Sequence, residues 1–461
     1  MFCASCTINQ AQTDCRRETR EFMDDIFELD VEPPARTASD REAFFVPKPG
    51  LSGLAPDFFA PAPTGCHRKK NSKSTFPLNP KSAAFLARHY PQAKPCQWNQ
   101  WHWQLKHRIT SLSVLETVLD LTADERKALQ PGKDMLPMAV TPYYASLLDP
   151  RDPKQPLRRC VIPTMDEHRI LPCEEGDPLG EEQDSPVPGL VHRYPDRVLF
   201  LVTDFCSTYC RYCTRSRRVG KRETAQGPGR WEAALRYIGR TVQVRDVLIS
   251  GGDPLTMPDH ALEYLLQRIR AIDHVEIIRI GTKVPMVLPQ RITASLTHML
   301  KRYHPLFISI HSAHAEELTP EAALACSRLA DAGIPLGGQT VLLKGINDTI
   351  AALTSLFQGQ LRNRIRPYYL YQCDQVRGTG HFRTSVNTGL DLIRGLRGHT
   401  SGYAVPHYVV DLPRGGGKTP LCPEYFQGRD RDELIFKNYA GELFRVYDPA
   451  DVFASQKAGA A

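Results

Sequence analysis

The chain has 461 residues, 41% apolar and 24% charged, an ordinary globular composition that supports a sizeable core. Its formal charge of +7 is modest for this length, and no apolar run reaches the roughly eighteen residues a membrane helix needs. The start, MFCASCTINQ, lacks an apolar signal core, so a cytoplasmic protein is expected.

Residues 1–75 are rich in Pro, Ser, Thr and charge and read as a disordered extension. They hold Cys3, Cys6 and Cys15, a Cys-x-x-Cys pair without a nearby fourth ligand. The basic stretch HRKKNSK (67–73) has no interleaved aromatics, so no nucleic-acid partner is expected. Residues 76–190 form a helical region and a proline-rich connector. SAAFLARHY, QWNQWHWQLKHRI and LSVLETVLDLTADERKALQ carry apolar residues at three- and four-residue spacing. Trp98, Trp101 and Trp103 are expected in the core or at a helix contact.

From 191 to 425 strands and helices alternate. RVLFLVT, DVLISG, VEIIRIGT, LFISIHS, LGGQTVLL, IRPYYLYQC and HYVVDLP are the expected strands. DHALEYLLQRIRAI and PEAALACSRLADAG are among the amphipathic helices between them. This pattern implies an α/β fold, a partial (βα)6-type TIM barrel, with chemistry at the C-terminal strand ends. Residues 426–461 read as a short mixed tail.

The thirteen cysteines are odd in number and scattered, which suits metal or cluster ligation better than a disulfide framework. TDFCSTYCRYCTRSRRVG places Cys206, Cys210 and Cys213 as C-x3-C-x2-C directly after the first barrel strand. Three thiolates on one short loop hold three irons of a [4Fe–4S] cluster and leave the fourth open. This segment resembles the radical S-adenosylmethionine (SAM) superfamily, in which the open iron binds the methionine part of SAM. Tyr212, before the third cysteine, fits the same pattern. ISGGDPL ends the next strand, and Ser250, Gly251, Gly252 and Asp253 resemble the segment that binds the methionine amino group. Its two glycines are read as clearance for a ligand.

DLPRGGGKTP (411–420) looks at first like a nucleotide phosphate loop. The Walker pattern requires a glycine at position 412, where Leu412 stands, so that reading fails. Together HRYPDRVLFLVTDFCSTYCRYCTR, SGGDPL, RPYYLYQCD, HFRT, GLRGHTSGY and VVDLPRGGGKTP resemble the lysine 2,3-aminomutase family over residues 80–425. The resemblance implies a [4Fe–4S] cluster, SAM and pyridoxal 5′-phosphate (PLP), with Lys418 as the Schiff-base lysine. It also implies Arg193 and Gln339 on the cofactor phosphate, Arg215 on the substrate carboxylate, and Asp374 with Asp411 on a distal ammonium. The forked donors of Arg193 suit a dianionic phosphate, and two carboxylates suit a cation and repel the anionic end of glutamate.

The implied reaction is a radical 1,2-amino shift between L-lysine and L-β-lysine on a PLP aldimine, initiated by a 5′-deoxyadenosyl radical. Arginine, another basic amino acid, satisfies the same residues, and a radical enzyme acting on RNA or protein is a more distant alternative. The expected partners are the amino acid, an electron donor such as flavodoxin or ferredoxin, and further copies of the chain in a homo-oligomer. Two departures stand out. The family's founding members carry a C-terminal zinc-binding cysteine cluster, whereas no cysteine follows Cys422 here, so no such site is expected. Arg414 also occupies a loop position where glycine is common, which implies a stiffer loop or a contact to phosphate or acid.

Overall fold

A computed structural model describes residues 75–130, 135–220 and 228–448. Apart from Thr75, the N-terminal extension lies outside the described residues, and with it HRKKNSK, Cys3, Cys6 and Cys15.

The N-terminal region opens with α1 (Pro80–His89), capped by Asn79, whose side chain accepts from Ser82 N–H at 3.0 Å. The amide of the same asparagine donates to Glu321 Oε1 at 2.8 Å and so ties α1 to the barrel. The stretch 112–130, read as helical from its apolar spacing, forms two short helices, Leu112–Leu115 and Ala123–Ala128. Thr122 and Glu125 form a capping box that restarts the chain, and this local cap overrides the continuous apolar spacing. Trp98 is fully buried, Trp103 packs against the core, and Arg291 of the barrel covers the ring of Trp101 at 4.6 Å.

The barrel is one sheet of nine strands in chain order. β1 (Leu190–Tyr194) is antiparallel to β2 (Arg197–Thr203). Then β3 (Asp246–Gly251), β4 (Ile277–Thr282), β5 (Leu306–His311), β6 (Leu336–Leu342), β7 (Ile365–Gln372) and β8 (His407–Leu412) follow in parallel. β9 (Gly417–Leu421) turns back antiparallel to β8. The crossovers carry α2 (Pro228–Arg240), α3 (Asp259–Arg270), α4 (Ala294–Leu300), α5 (Pro320–Asp331), α6 (Ile350–Arg362) and α7 (Val386–Leu396). The six expected βα units are therefore present, extended by a seventh parallel strand and flanked by antiparallel edges. Thr293, Thr319, Thr349 and Ser385 cap α4 to α7 through their side-chain oxygens.

β1 and β9 are the two edges, with no backbone ladder between them. Tyr194 on β1 closes part of the gap by accepting the Lys418 N–H at 2.8 Å. The N-terminal region covers one end of the barrel. Its core joins Trp98, Tyr143, Tyr144, Leu157 and Cys160 to Val287, Ala313, Leu343 and Cys373, which follow β4, β5, β6 and β7. Apolar burial thus places a roof over the C-terminal strand ends.

The tail is more ordered than its mixed composition implies. β10 (Phe426–Asp430), β11 (Glu433–Lys437) and β12 (Leu443–Tyr447) make a separate antiparallel sheet. Alternation there is masked by charged residues on both faces, several of them paired across strands, such as Arg445 with Asp430 at 2.7 Å.

Candidate active site

The loop after β2 presents Cys206, Cys210 and Cys213, all free and half-buried. It is held from outside by the N-terminal region. Arg108 Nη1 donates to the Cys206 carbonyl at 2.8 Å while its guanidinium lies 4.3 Å over the Phe205 ring. Tyr209 N–H donates to the Ala139 carbonyl at 3.0 Å, and Arg211 N–H to that of Cys160 at 2.8 Å. The buried guanidinium of Arg211 grips Glu167 at 2.9 and 2.6 Å and also donates to the carbonyls of Leu136 and Pro137.

Burial pushes the Cys206 thiol well up, and the charges of Asp253, Cys213 and Cys210 add to it. Burial, then the neighbouring Cys210, pushes Cys213 up to about 11. The three thiols therefore share one water-poor site, where binding a cationic cluster would displace their protons. Among the described residues no group of three or more side chains converges on a single ion.

The Ser250–Asp253 segment meets the same loop, and its glycines answer to the protein before any ligand. A Cβ on Gly251 would overlap the Thr203 carbonyl, and one on Gly252 the Phe205 backbone. This clearance lets Asp253 N–H reach the Phe205 carbonyl at 2.8 Å. The Asp253 carboxylate is buried and already accepts from Thr282 Oγ1 at 2.7 Å and from the N–H groups of Lys283, Val284 and Leu255. It organises the ends of β3 and β4 from behind. The side chain of Lys283, next along, is buried against Glu317 at 2.6 Å, and Glu317 also accepts from Tyr144 at 2.7 Å.

The glycine-rich turn between β8 and β9 docks on the segment 175–184. Arg414 N–H and Gly415 N–H donate to the carbonyls of Pro178 and Leu179, both at 3.0 Å. Arg414 takes a left-handed φ of 55°, and its guanidinium reaches Glu175 at 3.3 Å, so its contact is to an acid. Gly417, at φ 80°, lies where a Cβ would approach the Tyr194 hydroxyl to 3.0 Å. Lys418 Nζ donates to Asp411 Oδ2 at 2.8 Å and stands 5.6 Å from the centre of the Tyr371 ring. Arg193 is close to the same turn. It pairs with Asp184 at 2.7 Å and donates to the Leu179 carbonyl.

Gln339 comes from a different part of the sheet than Arg193. It is buried on the interior strand β6, in register with His311 on β5, whereas Arg193 is on the edge strand β1. No hydrogen bond among the described residues joins the two.

Asp374 follows β7 and Asp411 ends β8, so consecutive parallel strands bring them together. Burial first, then the Asp411 charge, raises Asp374 to about 7, against the opposing pull of Lys418 and Arg215. Arg215 thus lies within electrostatic reach of Asp374. His311 is held neutral, its pKa lowered to about 4 by burial and by the charges of Lys283 and Arg215. Sequence reasoning overlooked Tyr194, Tyr371 and the acidic partners in 175–184. Those acids show in the sequence only as a run of charge, EEGDPLGEEQD (174–184).

Residues 200–354 match the radical SAM superfamily, and residues 393–461 match the family model described as Lysine-2,3-aminomutase. The L-lysine 2,3-aminomutase of Fusobacterium nucleatum is 50% identical over 78% of this chain and 85% of that protein. The chain belongs to the lysine 2,3-aminomutase family. The enzyme of the same name from Clostridium subterminale is 48% identical over 78% of this chain and 86% of its own length. The glutamate 2,3-aminomutase of Clostridioides difficile is 41% identical over 76% and 83%.

Membership makes this protein an isomerase that works with a [4Fe–4S] cluster, SAM and PLP on a free amino acid. The residues present suit all three cofactors: a half-buried trio of thiols, a strand end interlocked with it, and a lysine just past a glycine-rich turn, with an arginine close by. Among the described residues no helix is long and apolar enough to cross a membrane.

Proposed function

We propose that this family member interconverts L-lysine and L-β-lysine. The observation that carries the choice of substrate is the pairing of Asp374 and Asp411 around Lys418. Two carboxylates in a buried chamber favour a substrate that brings a second ammonium. They disfavour glutamate, the substrate named for one relative.

In this reading Arg215 takes the substrate carboxylate, and Asp374 and Asp411 take the distal ammonium. That fixes both ends of the amino acid and leaves its α- and β-carbons between the cluster loop and the Lys418 turn. Lys418 holds the cofactor aldehyde, and Arg193 lies beside the same turn for its phosphate. Gln339 is a proposed cofactor contact from β6. When bound, the cluster with SAM supplies the carbon radical that takes hydrogen from the substrate, and PLP carries the migrating nitrogen. The roof of Trp98, Tyr143, Tyr144 and Leu157 keeps water and oxygen from the strand ends. An electron donor such as flavodoxin or ferredoxin, a cytoplasmic location and a homo-oligomer complete the proposal.

Arginine is the second reading, because its guanidinium satisfies the same two carboxylates. The deciding experiment is an anaerobic assay of the reconstituted protein with lysine, arginine and glutamate side by side. β-Lysine is expected as the main product, and β-arginine as the only product sinks the lysine reading.

A further inference from the structure

Arg215 enters the site with one edge already engaged. Its Nε donates to Glu181 Oε1 at 3.0 Å and Oε2 at 3.2 Å, and its Nη2 to Oε1 at 2.8 Å. Its Nη1 makes no hydrogen bond among the described residues. Glu181 is itself almost fully buried and is held in turn. Arg217 Nη2 reaches Glu181 Oε2 at 3.2 Å and Asp177 at 3.0 Å, while its Nε reaches Glu182 at 3.2 Å. The segment bearing these acids is pinned before Glu181 at two places. Glu175 exchanges backbone hydrogen bonds with Gln375 and Arg377, and the carbonyls of Pro178 and Leu179 receive the glycine turn.

Burial opposes ionisation of Glu181, yet Arg215 and Arg217 together hold its carboxyl below the usual range.

The chamber poses a problem that this arrangement solves. It must present a cation to one end of a zwitterion and two anions to the other. Arg215 is close enough to Asp374 and Asp411 to feel their charge. A guanidinium on a flexible stem, in a site of low dielectric, is drawn onto whichever carboxylate is free. Collapse onto Asp374 would neutralise both ends of the binding site at once. A fork held by its Nε and Nη2 edge cannot swing, and the Nη1 edge is left for a carboxylate.

We propose that Glu181 is a positioning residue for the substrate: it locks Arg215 by one edge, keeps it off Asp374, and turns the other edge toward the amino acid's carboxylate. The proposal rests on the reading of Arg215 as the carboxylate binder. Glu181 makes no claim on the reacting atoms.

The test is equilibrium binding to the full-length protein loaded with PLP, without SAM or reductant, followed by the change in cofactor absorbance. Two probes are compared: L-lysine, and 1,5-diaminopentane, which keeps both amines and lacks the carboxylate. Glu181→Gln preserves size and removes the charge. It is expected to weaken lysine about tenfold while moving the diamine less than about twofold, the scale of one charge-assisted contact. Glu182→Gln, at an exposed position whose one ion pair among the described residues is with Arg217, is expected to change neither.

Unchanged or tighter lysine binding in Glu181→Gln overturns the proposal, the latter because it makes Glu181 a competitor for Arg215. Equal weakening of both probes also overturns it, since that is what general loosening produces. If Glu181→Gln does not fold, Glu181→Asp is judged by the same ratio of the two probes. Arg215→Gln separates the two layers. If it leaves the preference for lysine over the diamine intact, the carboxylate reading of Arg215 fails. If it erases the preference while Glu181→Gln does not, only the positioning role fails.

Discussion

Asp411 and Lys418 face each other as register partners across β8 and β9, with Nζ 2.8 Å from the carboxylate. Seven residues apart in sequence, they are neighbours because the Pro413–Gly416 turn reverses the chain between them. In the free protein the lysine is thus kept on the aspartate, and once the lysine binds a cofactor aldehyde the aspartate is left for another cation. Lys418→Ala is expected to abolish the visible absorbance of bound PLP. Asp411→Asn is expected to keep that absorbance and to raise the KM for lysine about tenfold or more, through loss of one charged contact. Absorbance spectra and steady-state kinetics of the two variants check this.

The three cysteines act as a set. Replacing Cys206, Cys210 or Cys213 with serine is expected to remove the cluster's electron paramagnetic resonance signal after anaerobic reconstitution, along with most of the bound iron. Serine at the exposed Cys96 or Cys422 is expected to leave both unchanged. A signal that survives loss of any one of the trio places the cluster elsewhere.

Asp374 gives the binding step a pH dependence. Burial and Asp411 raise it to about 7 from the ordinary 3.8, so below that pH the ligand-free site holds a proton that an ammonium must displace. Lysine affinity is expected to fall as pH drops through about 7, by up to roughly tenfold per unit, and Asp374→Asn is expected to flatten the profile. The same shift acts on stability. The folded state binds this proton more tightly than the unfolded one, so the Asp374 contribution decreases as pH rises from about 4 to about 7. Titrating binding and urea midpoints for wild type and Asp374→Asn tests both signs.

The Arg211–Glu167 pair anchors the cluster loop to the N-terminal region with almost no exposed surface. Glu167→Ala leaves a buried guanidinium with half its partners, and a loss of about 3–5 kcal/mol is expected in denaturant unfolding. Cluster occupancy is expected to fall with it, because Arg211 lies between two of the ligands. Arg169→Ala, at a surface pair, is expected to change stability by less than about 1 kcal/mol.

All seven parallel strands were legible as short apolar runs, because a strand covered on both faces has no polar side to blur it. The thiol trio, Lys418 and the two aspartates each lie in a contiguous motif near a strand end, and the roles proposed for them come from the family resemblance. The broken helix at 112–130 and the β10–β12 sheet were less legible. There a single capping box and cross-strand charge pairs decide the structure, and both are weak signals beside apolar spacing.

By itself, then, the sequence determined the order of the βα units, the cluster motif and the chemistry of the site residues, since these depend on local spacing and residue type. Only the tertiary structure decided what each residue is held by. It set Arg215 on Glu181, Arg211 on Glu167, Lys418 on Asp411, and the glycines of 251–252 against the cluster loop. Apart from Lys418 and Asp411, which one hairpin joins, those partners come from distant segments, and which charge meets which is settled by how the sheet folds round, a property no local window contains.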